Sequence, residues 1–256
     1  MLILFEKLLK WVFIASLFGL LAGYWYRDVL PEPDHYDDGR ALAKDPLQAP
    51  TRKQPFSVQA SDQRYGVKPL FDYELRGVVV SMHHTDAWWD IYHAEWGDFI
   101  NIKDICVIWG DNVKSGVYRD MEFENNSWTC WAYWPGRDVG KRFKEDQLSN
   151  NHLLADRPQV QRAIYAARPG DQVRVRGMLV EYTNPAKNFR RGTSISRKDR
   201  GNGACETIYV EDFQILRRAN VGWRRLFNVS KWSLPLSGIG FVILLAVNPV
   251  RRRWRH

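Results

Sequence analysis

The chain of 256 residues holds three cysteines and six histidines, and no recognisable metal or nucleophile motif is built from them. HExxH and paired CxxC are both missing, which excludes the common zinc frameworks. A GxSxG elbow is absent too, and no local Cys–His signature marks a thiol nucleophile. No internal repeat is present, so a solenoid is excluded. The middle of the chain also lacks an excess of one charge. Residues 27–231 carry 31 basic and 28 acidic side chains, although the formal net charge of the whole chain is +8. The remainder of that excess lies at the ends, with Lys7 and Lys10 against Glu6 and with Arg251, Arg252, Arg253 and Arg255. The global charge is therefore poor evidence for nucleic-acid binding.

What the ends do contain is apolar sequence. "WVFIASLFGLLAGYWY" (11–26) and "WSLPLSGIGFVILLAVNPV" (232–250) are uncharged, and a membrane-spanning helix needs about 20 mostly apolar residues. Trp11, Tyr24, Trp25, Tyr26, Trp232 and Trp254 sit at their edges, where aromatic rings favour the membrane interface. The competing reading of the first run is a cleaved signal peptide, but "LLAGYWYRD" offers no small-x-small cleavage site and no lipobox cysteine follows. Pro235, Asn248 and Pro249 would shorten the regular part of the second. Gly238 and Gly240 could allow close helix contact.

Two spans put both termini on one side. Lys7 and Lys10 before the first span and four arginines after the second favour cytoplasmic ends, with the middle domain in the periplasm of a bacterial inner-membrane protein. Arg217, Arg218, Arg224, Arg225 and Lys231, just before the second span, argue the other way. Cys106, Cys130 and Cys205 all fall in the middle. One disulfide with a spare thiol suits an oxidising compartment, and three buried thiols suit the residue equally well.

Residues 27–69, with Pro31, Pro33, Pro46, Pro50, Pro55 and Pro69, read as an extended tether. Strands follow at 73–82, with Gly77 marking a bulge or bend, and at 98–109. Residues 116–134 read as a third strand split at Asn125-Asn126 by a tight turn. Residues 156–167 read as a helix, with Asp156 as N-cap and Pro158 in its first turn. "GDQVRVRGMLVEY" (170–182) alternates Val173, Val175, Gly177 and Leu179 against Gln172, Arg174 and Arg176, and a last strand covers 205–216.

Five strands with a helix between the third and fourth, closing on "GDQVRVRGMLVEY", a polar loop and "ETIYVEDFQIL", resemble an OB-fold barrel over about residues 71–216. The expected protein is membrane-anchored and mainly β. A helix anchor spans 1–26, the tether 27–69, the OB-like five-stranded β-barrel domain 70–216, a basic juxtamembrane segment 217–231, a second transmembrane helix 232–250, and a basic tail 251–256.

The resemblance implies a ligand face flanked by the loops joining strands 1–2 and 4–5. These are "HHTDAWWDIYHAEWG" (83–97), with Trp88, Trp89, Tyr92 and Trp96, and residues 183–204, with Lys187, Arg190, Arg191, Arg197, Lys198 and Arg200. Aromatic platforms beside cations could stack bases and track phosphates, or grip a glycan or a partner protein. A plain solvated loop and a Trp cluster lying on the bilayer are the alternatives. His83, His84 and His93 are weak metal candidates with undiagnostic spacing, and no cofactor is implied. His152 in "SNNHLLAD" invites a role as base, but a helix-capping turn accounts for Ser149 and Asn150. The leading expectation is a non-enzymatic module that meets the lipid bilayer through its helices and a partner protein or envelope ligand through its barrel. A membrane-tethered single-stranded nucleic-acid binder is the alternative. An envelope enzyme using His83, His84, His93 or His152 is the third reading.

Overall fold

The computed structural model describes residues 2–36, 39–85, 95–126, 129–199 and 204–247. Among the described residues, the helices of nine residues or more are α1 (Leu2–Tyr26), α2 (Pro158–Ala166) and α3 (Val221–Val247). The strands are β1 (Leu47–Pro50), β2 (Phe56–Ala60), β3 (Gln63–His84), β4 (Asn101–Ile108), β5 (Glu122–Asn125), β6 (Cys130–Tyr133), β7 (Leu148–Leu154), β8 (Gln172–Asn184), β9 (Phe189–Arg191) and β10 (Cys205–Arg217). The chain divides into two compact units. One is Leu30–Ala219, which holds every strand, and the other holds α1 and α3.

In the sheet unit the strand order β3-β4-β7-β10-β8 returns to β3, giving a mixed sheet with a partly closed ring. Its neighbours are antiparallel except β7 and β10, which run parallel. Closure depends on the length of β3. Its first part pairs with β8 from Gly66 to Val78, and its last part pairs with β4 from Val78 to His84. Gly77 lies where the strand passes from one partner to the other. A Cβ there would collide with Val107 and stand 2.5 Å from the Ile108 carbonyl oxygen, so the approach requires glycine. Gly177 on β8 is required in the same way by the carbonyl of Tyr209 on β10.

Inward-facing side chains, including Leu75, Ile105, Val107, Leu153, Val175 and Ile208, form one apolar core. Val160 and Ile164 of α2 join that core. At the C-terminal end of α2, buried Lys103 donates to the Ala167 carbonyl at 2.6 Å, meeting a group the helix leaves without an internal partner. The outer face of the ring carries two further apolar clusters. One gathers Tyr36, Val78, Val80, Ile108 and Tyr118, and the other gathers Tyr65, Val67, Met178, Val180 and Tyr182.

Several expectations need correction. The third ring strand is β7, not 116–134: that stretch holds the separate hairpin β5–β6, in which Asn125 still pairs with Cys130 and the turn follows it. Cys106 of β4 is bonded to Cys130 of β6, which staples the hairpin to the ring. The "SNNH" segment is strand, not a helix cap. Its polar side chains are buried against one another, so no apolar alternation announced it. Residues 30–69 are no free tether either. Leu47–Pro50 and Phe56–Ala60 pair with β3, Tyr36 and Leu42 are buried, and the Pro31 carbonyl accepts from Tyr118. Proline tolerates such edge positions because no ladder donor is needed there. Asp156 does not cap α2; the N-cap is Arg157, and Asp156 accepts the Tyr209 hydroxyl at 2.8 Å.

Helices α1 and α3 pack as an antiparallel pair. Tyr26 stacks on Trp223 at 4.8 Å, Ser16 Oγ and Ser233 Oγ share a hydrogen bond of 2.6 Å, and Gly240 lies against Leu9. Gly19 and Gly23, four residues apart, face Ser230 and Phe227 so closely that a Cβ at Gly23 would stand 2.8 Å from that of Phe227. This small-xxx-small spacing in α1, more than Gly238 and Gly240, lets the backbones approach. Outward-facing Leu4, Phe18, Trp232, Leu236 and Val242 are exposed.

Among the described residues, one helix, over Val221–Ala246, is long and apolar enough to cross a membrane. Two spans and their topology are thus not shown. Glu6, Lys7 and Lys10 fall in the first turns of α1, leaving an uncharged run of only 16 residues, Trp11 to Tyr26. The helix of the second run also begins at Val221 and continues through Pro235, so Arg224, Arg225 and Lys231 lie on it. The tail 251–256 lies outside the described residues.

Candidate functional site

Between the two outer apolar clusters runs a seam of buried polar side chains on β4, β7 and β10. Their registers align Asp104 with His152 and His152 with Thr207, and one step along align Cys106 with Asn150 and Asn150 with Cys205. Asp104 is 0% exposed and His152 4%. His152 Nδ1 and Asp104 Oδ1 are 2.7 Å apart, and Asn101 Nδ2 donates to the same oxygen at 2.9 Å. Cys205 lies on the same face of the sheet, two residues before Thr207, the register partner of His152. Burial alone would lower the affinity of His152 for its proton; the Asp104 carboxylate, helped by Cys205, outweighs it and holds the ring at about 9. Burial works in the opposite sense on Asp104, yet the facing imidazolium keeps its carboxyl below the ordinary range. The pair is therefore an ion pair at neutral pH. Further along, Asn150 Nδ2 donates to Cys205 Sγ at 3.3 Å, and Asn125 of the hairpin donates to Asn150 Oδ1 at 2.8 Å.

Cys205 lies outside the disulfide and is half-buried. It opens on a cleft of about 420 Å³ between the stapled hairpin, β7 and the loop preceding β10. Trp131, Trp134, Phe143 and Leu148 supply the apolar wall, and Arg197, Asn150 and Glu206 the polar one. Glu206 is almost fully buried, and burial pushes its carboxyl up to about 7 against the pull of Arg197. One of its oxygens bonds Arg197; the other, Oε2, has no hydrogen-bond partner among the described residues. The Arg197 guanidinium also donates to the Tyr73 hydroxyl at 3.0 Å and lies over the Tyr73 and Trp109 rings.

The two loops singled out in the sequence do join β3 to β4 and β8 to β10. Trp88, Trp89, Tyr92, His93 and Arg200 lie outside the described residues. Trp96 stacks on Phe189 at 5.6 Å. Arg190 pairs with Glu181 at 2.9 Å, Arg191 is mostly buried 3.8 Å from Asp98, and Arg197 is held by Glu206. Lys187 and Lys198 are exposed. Loop 192–199 is pinned rather than open: Ser194 N donates to the Cys205 carbonyl at 2.8 Å, and Ser194 Oγ to Asp199 at 2.7 Å. His83 stands in register with Asp104, while His84 stacks on Tyr165. Among the described residues no three metal-ligating side chains converge.

Sequence reasoning considered His152 and set it aside because no serine elbow and no Cys–His pattern accompanies it. The missing signal was the parallel pairing of β7 with β10, which brings "SNNH" beside "CET" across a long stretch of chain. The chain matches no protein-family model, and no curated protein or solved structure matches it either.

Proposed function

We propose that the protein is a two-span membrane protein presenting an OB-like barrel outside the cytoplasm, where the cleft beside β7 and β10 binds a partner polypeptide. The observation that carries this reading is the α1–α3 pair. Its small and hydroxyl side chains (Ser16, Gly19, Gly23, Ser233) face inward, while Leu4, Phe18, Trp232, Leu236 and Val242 face outward. An outward apolar surface of that extent suits lipid better than water. The Cys106–Cys130 disulfide supports an oxidising compartment such as the periplasm. The ring order, with α2 between its third and fourth strands, supports the OB reading.

The partner is argued from the cleft wall. Tryptophans beside a few fixed polar groups are what a polypeptide hot spot contacts. Single-stranded nucleic acid is the weaker alternative, since Arg190, Arg191 and Arg197 are already engaged by carboxylates and offer phosphate little unspent charge. The test is a photo-crosslinking residue in place of Trp134 in the full chain, in its own membranes. One discrete polypeptide adduct is expected there and none from the same probe at exposed Arg64. Equal labelling from both positions, or none from either, contradicts the reading.

A further inference from the structure

We propose that Cys205, His152 and Asp104 form a nucleophilic site that cleaves an ester or thioester whose acyl group lies in the cleft. The proposal goes beyond partner binding and holds whether or not a polypeptide docks there. Its basis is the placement of three groups on one face of the sheet: a thiol on β10, an imidazole beside it on the parallel neighbour β7, and a carboxylate on β4 orienting that imidazole. Nucleophilic catalysis needs such a chain, because the ring must face the nucleophile and keep one orientation throughout proton transfer. Here the 2.7 Å bond from Nδ1 to Asp104 fixes the ring and leaves Nε2 as the nitrogen that can exchange a proton.

Three more observations point to a substrate rather than to packing. Cys205 opens on the cleft, and Asp104 is fully buried. Asn150 Nδ2, 3.3 Å from Sγ, places an N–H donor where the oxygen of an attacked carbonyl would gather charge. Glu206 Oε2, buried and without a partner among the described residues, borders the same cleft and can accept from a substrate N–H or O–H. The wall of Trp131, Trp134, Phe143 and Leu148 selects an apolar acyl group.

The reaction balances with water as its co-reactant. The Cys205 thiolate forms a bond to the carbonyl carbon, and the bond from that carbon to the leaving oxygen or sulfur breaks. His152 gives its proton to the leaving group. A water then loses a proton to the neutral imidazole and forms a bond to the same carbon, and the Cys205 thiolate departs. The products are a carboxylic acid and an alcohol or thiol. Asp104 touches no substrate and is a positioning residue.

The experiment uses the full chain in detergent micelles with p-nitrophenyl acetate and p-nitrophenyl octanoate. The expected result is a burst of p-nitrophenol equal to the amount of protein, an acyl adduct mapped to Cys205, and faster reaction with octanoate. Cys205→Ser abolishes that adduct. Asp104→Asn slows acylation about 100-fold or more, as expected for impaired general acid–base catalysis, with the half-saturating ester concentration unchanged. Lys198→Ala reacts like the wild type. If Asp104→Asn does not fold, Asn150→Ala takes its place, with an expected loss of about 100-fold through the lost oxyanion donor. No burst from the wild type, an adduct on another residue, or folded variants acylating at the wild-type rate would overturn the proposal.

Discussion

The two faces of the ring solve different problems. Inside, Leu75, Ile105, Val107, Leu153, Val175 and Ile208 form a mainly apolar core, and the buried Lys103 and Asn151 beside it are spent on backbone carbonyls. Outside, the same strands bury Asp104, His152 and Asn150 between two apolar clusters. Burying such groups costs free energy unless each finds a partner, and a well-packed apolar patch would serve stability as well or better. The inner face therefore explains why the chain folds. The outer seam is retained at a cost that stability does not account for, and it is where function is to be sought.

Neighbouring residues of β4 put that contrast to the test. Asp104→Ala leaves the His152 imidazolium buried and unpaired, an expected loss of about 3–5 kcal/mol in denaturant unfolding. It should also remove reactivity at Cys205. Ile105→Ala, one residue along and facing inward, should cost about 2–5 kcal/mol through the cavity it leaves, with ester reactivity kept by the folded fraction. Equal effects of the two on reactivity would erase the distinction between the faces. Cys130→Ser opens a loop whose ends are 24 residues apart. The chain-entropy model gives a loss of about 3.5 kcal/mol, and the melting temperature in non-reducing buffer should fall accordingly.

The pH dependence has two sources, His152 in the outer seam and Glu206 beside Arg197. His152 holds its proton up to about 9, above the ordinary value of 6.5. Its contribution is thus fully present below pH 6.5 and is lost as pH rises through 9. Glu206 is raised from 4.5 to about 7, so its contribution is lost between those values. Melting temperature should fall steadily from pH 5 to pH 9, and His152→Gln should flatten the limb above pH 6.5. A profile flat across that range would contradict the buried ion pair. The smallest expected effect is at the exposed Arg190–Glu181 pair, where Arg190→Ala should change stability by less than about 1 kcal/mol.

Much of the inner face was legible in the sequence. Alternating Val173, Val175 and Leu179, the apolar run Ile105 to Ile108, and Val160 with Ile164 on α2 all declare burial by their spacing. The break near Asn125-Asn126 was legible, although Asn125 itself stays in β5, paired with Cys130. The outer seam was not. "SNNH" carries no apolar period, since its side chains satisfy one another and the hairpin, and such satisfaction is a property of the assembled sheet. Cys205 and His152 meet only through the parallel β7–β10 pairing, which no local pattern encodes. Arg191 looked like an open cation because its partner Asp98 lies in a distant loop, and Arg197 because no local pattern turns it back on Glu206, 9 residues along. The proline-rich segment misled for a related reason: proline spacing reports poor helix, and edge strands tolerate it.

The account rests on a domain held outside the cytoplasm by two helices, and topology tests it most directly. Paired reporters, one active only outside the cytoplasm and one only inside, would be fused after residues 60, 217 and 256. The expected result is outside activity after 60 and 217 and inside activity after 256. Inside activity after 217 would contradict the account, and would make the basic residues Arg217, Arg218, Arg224 and Arg225 the signal that sets orientation.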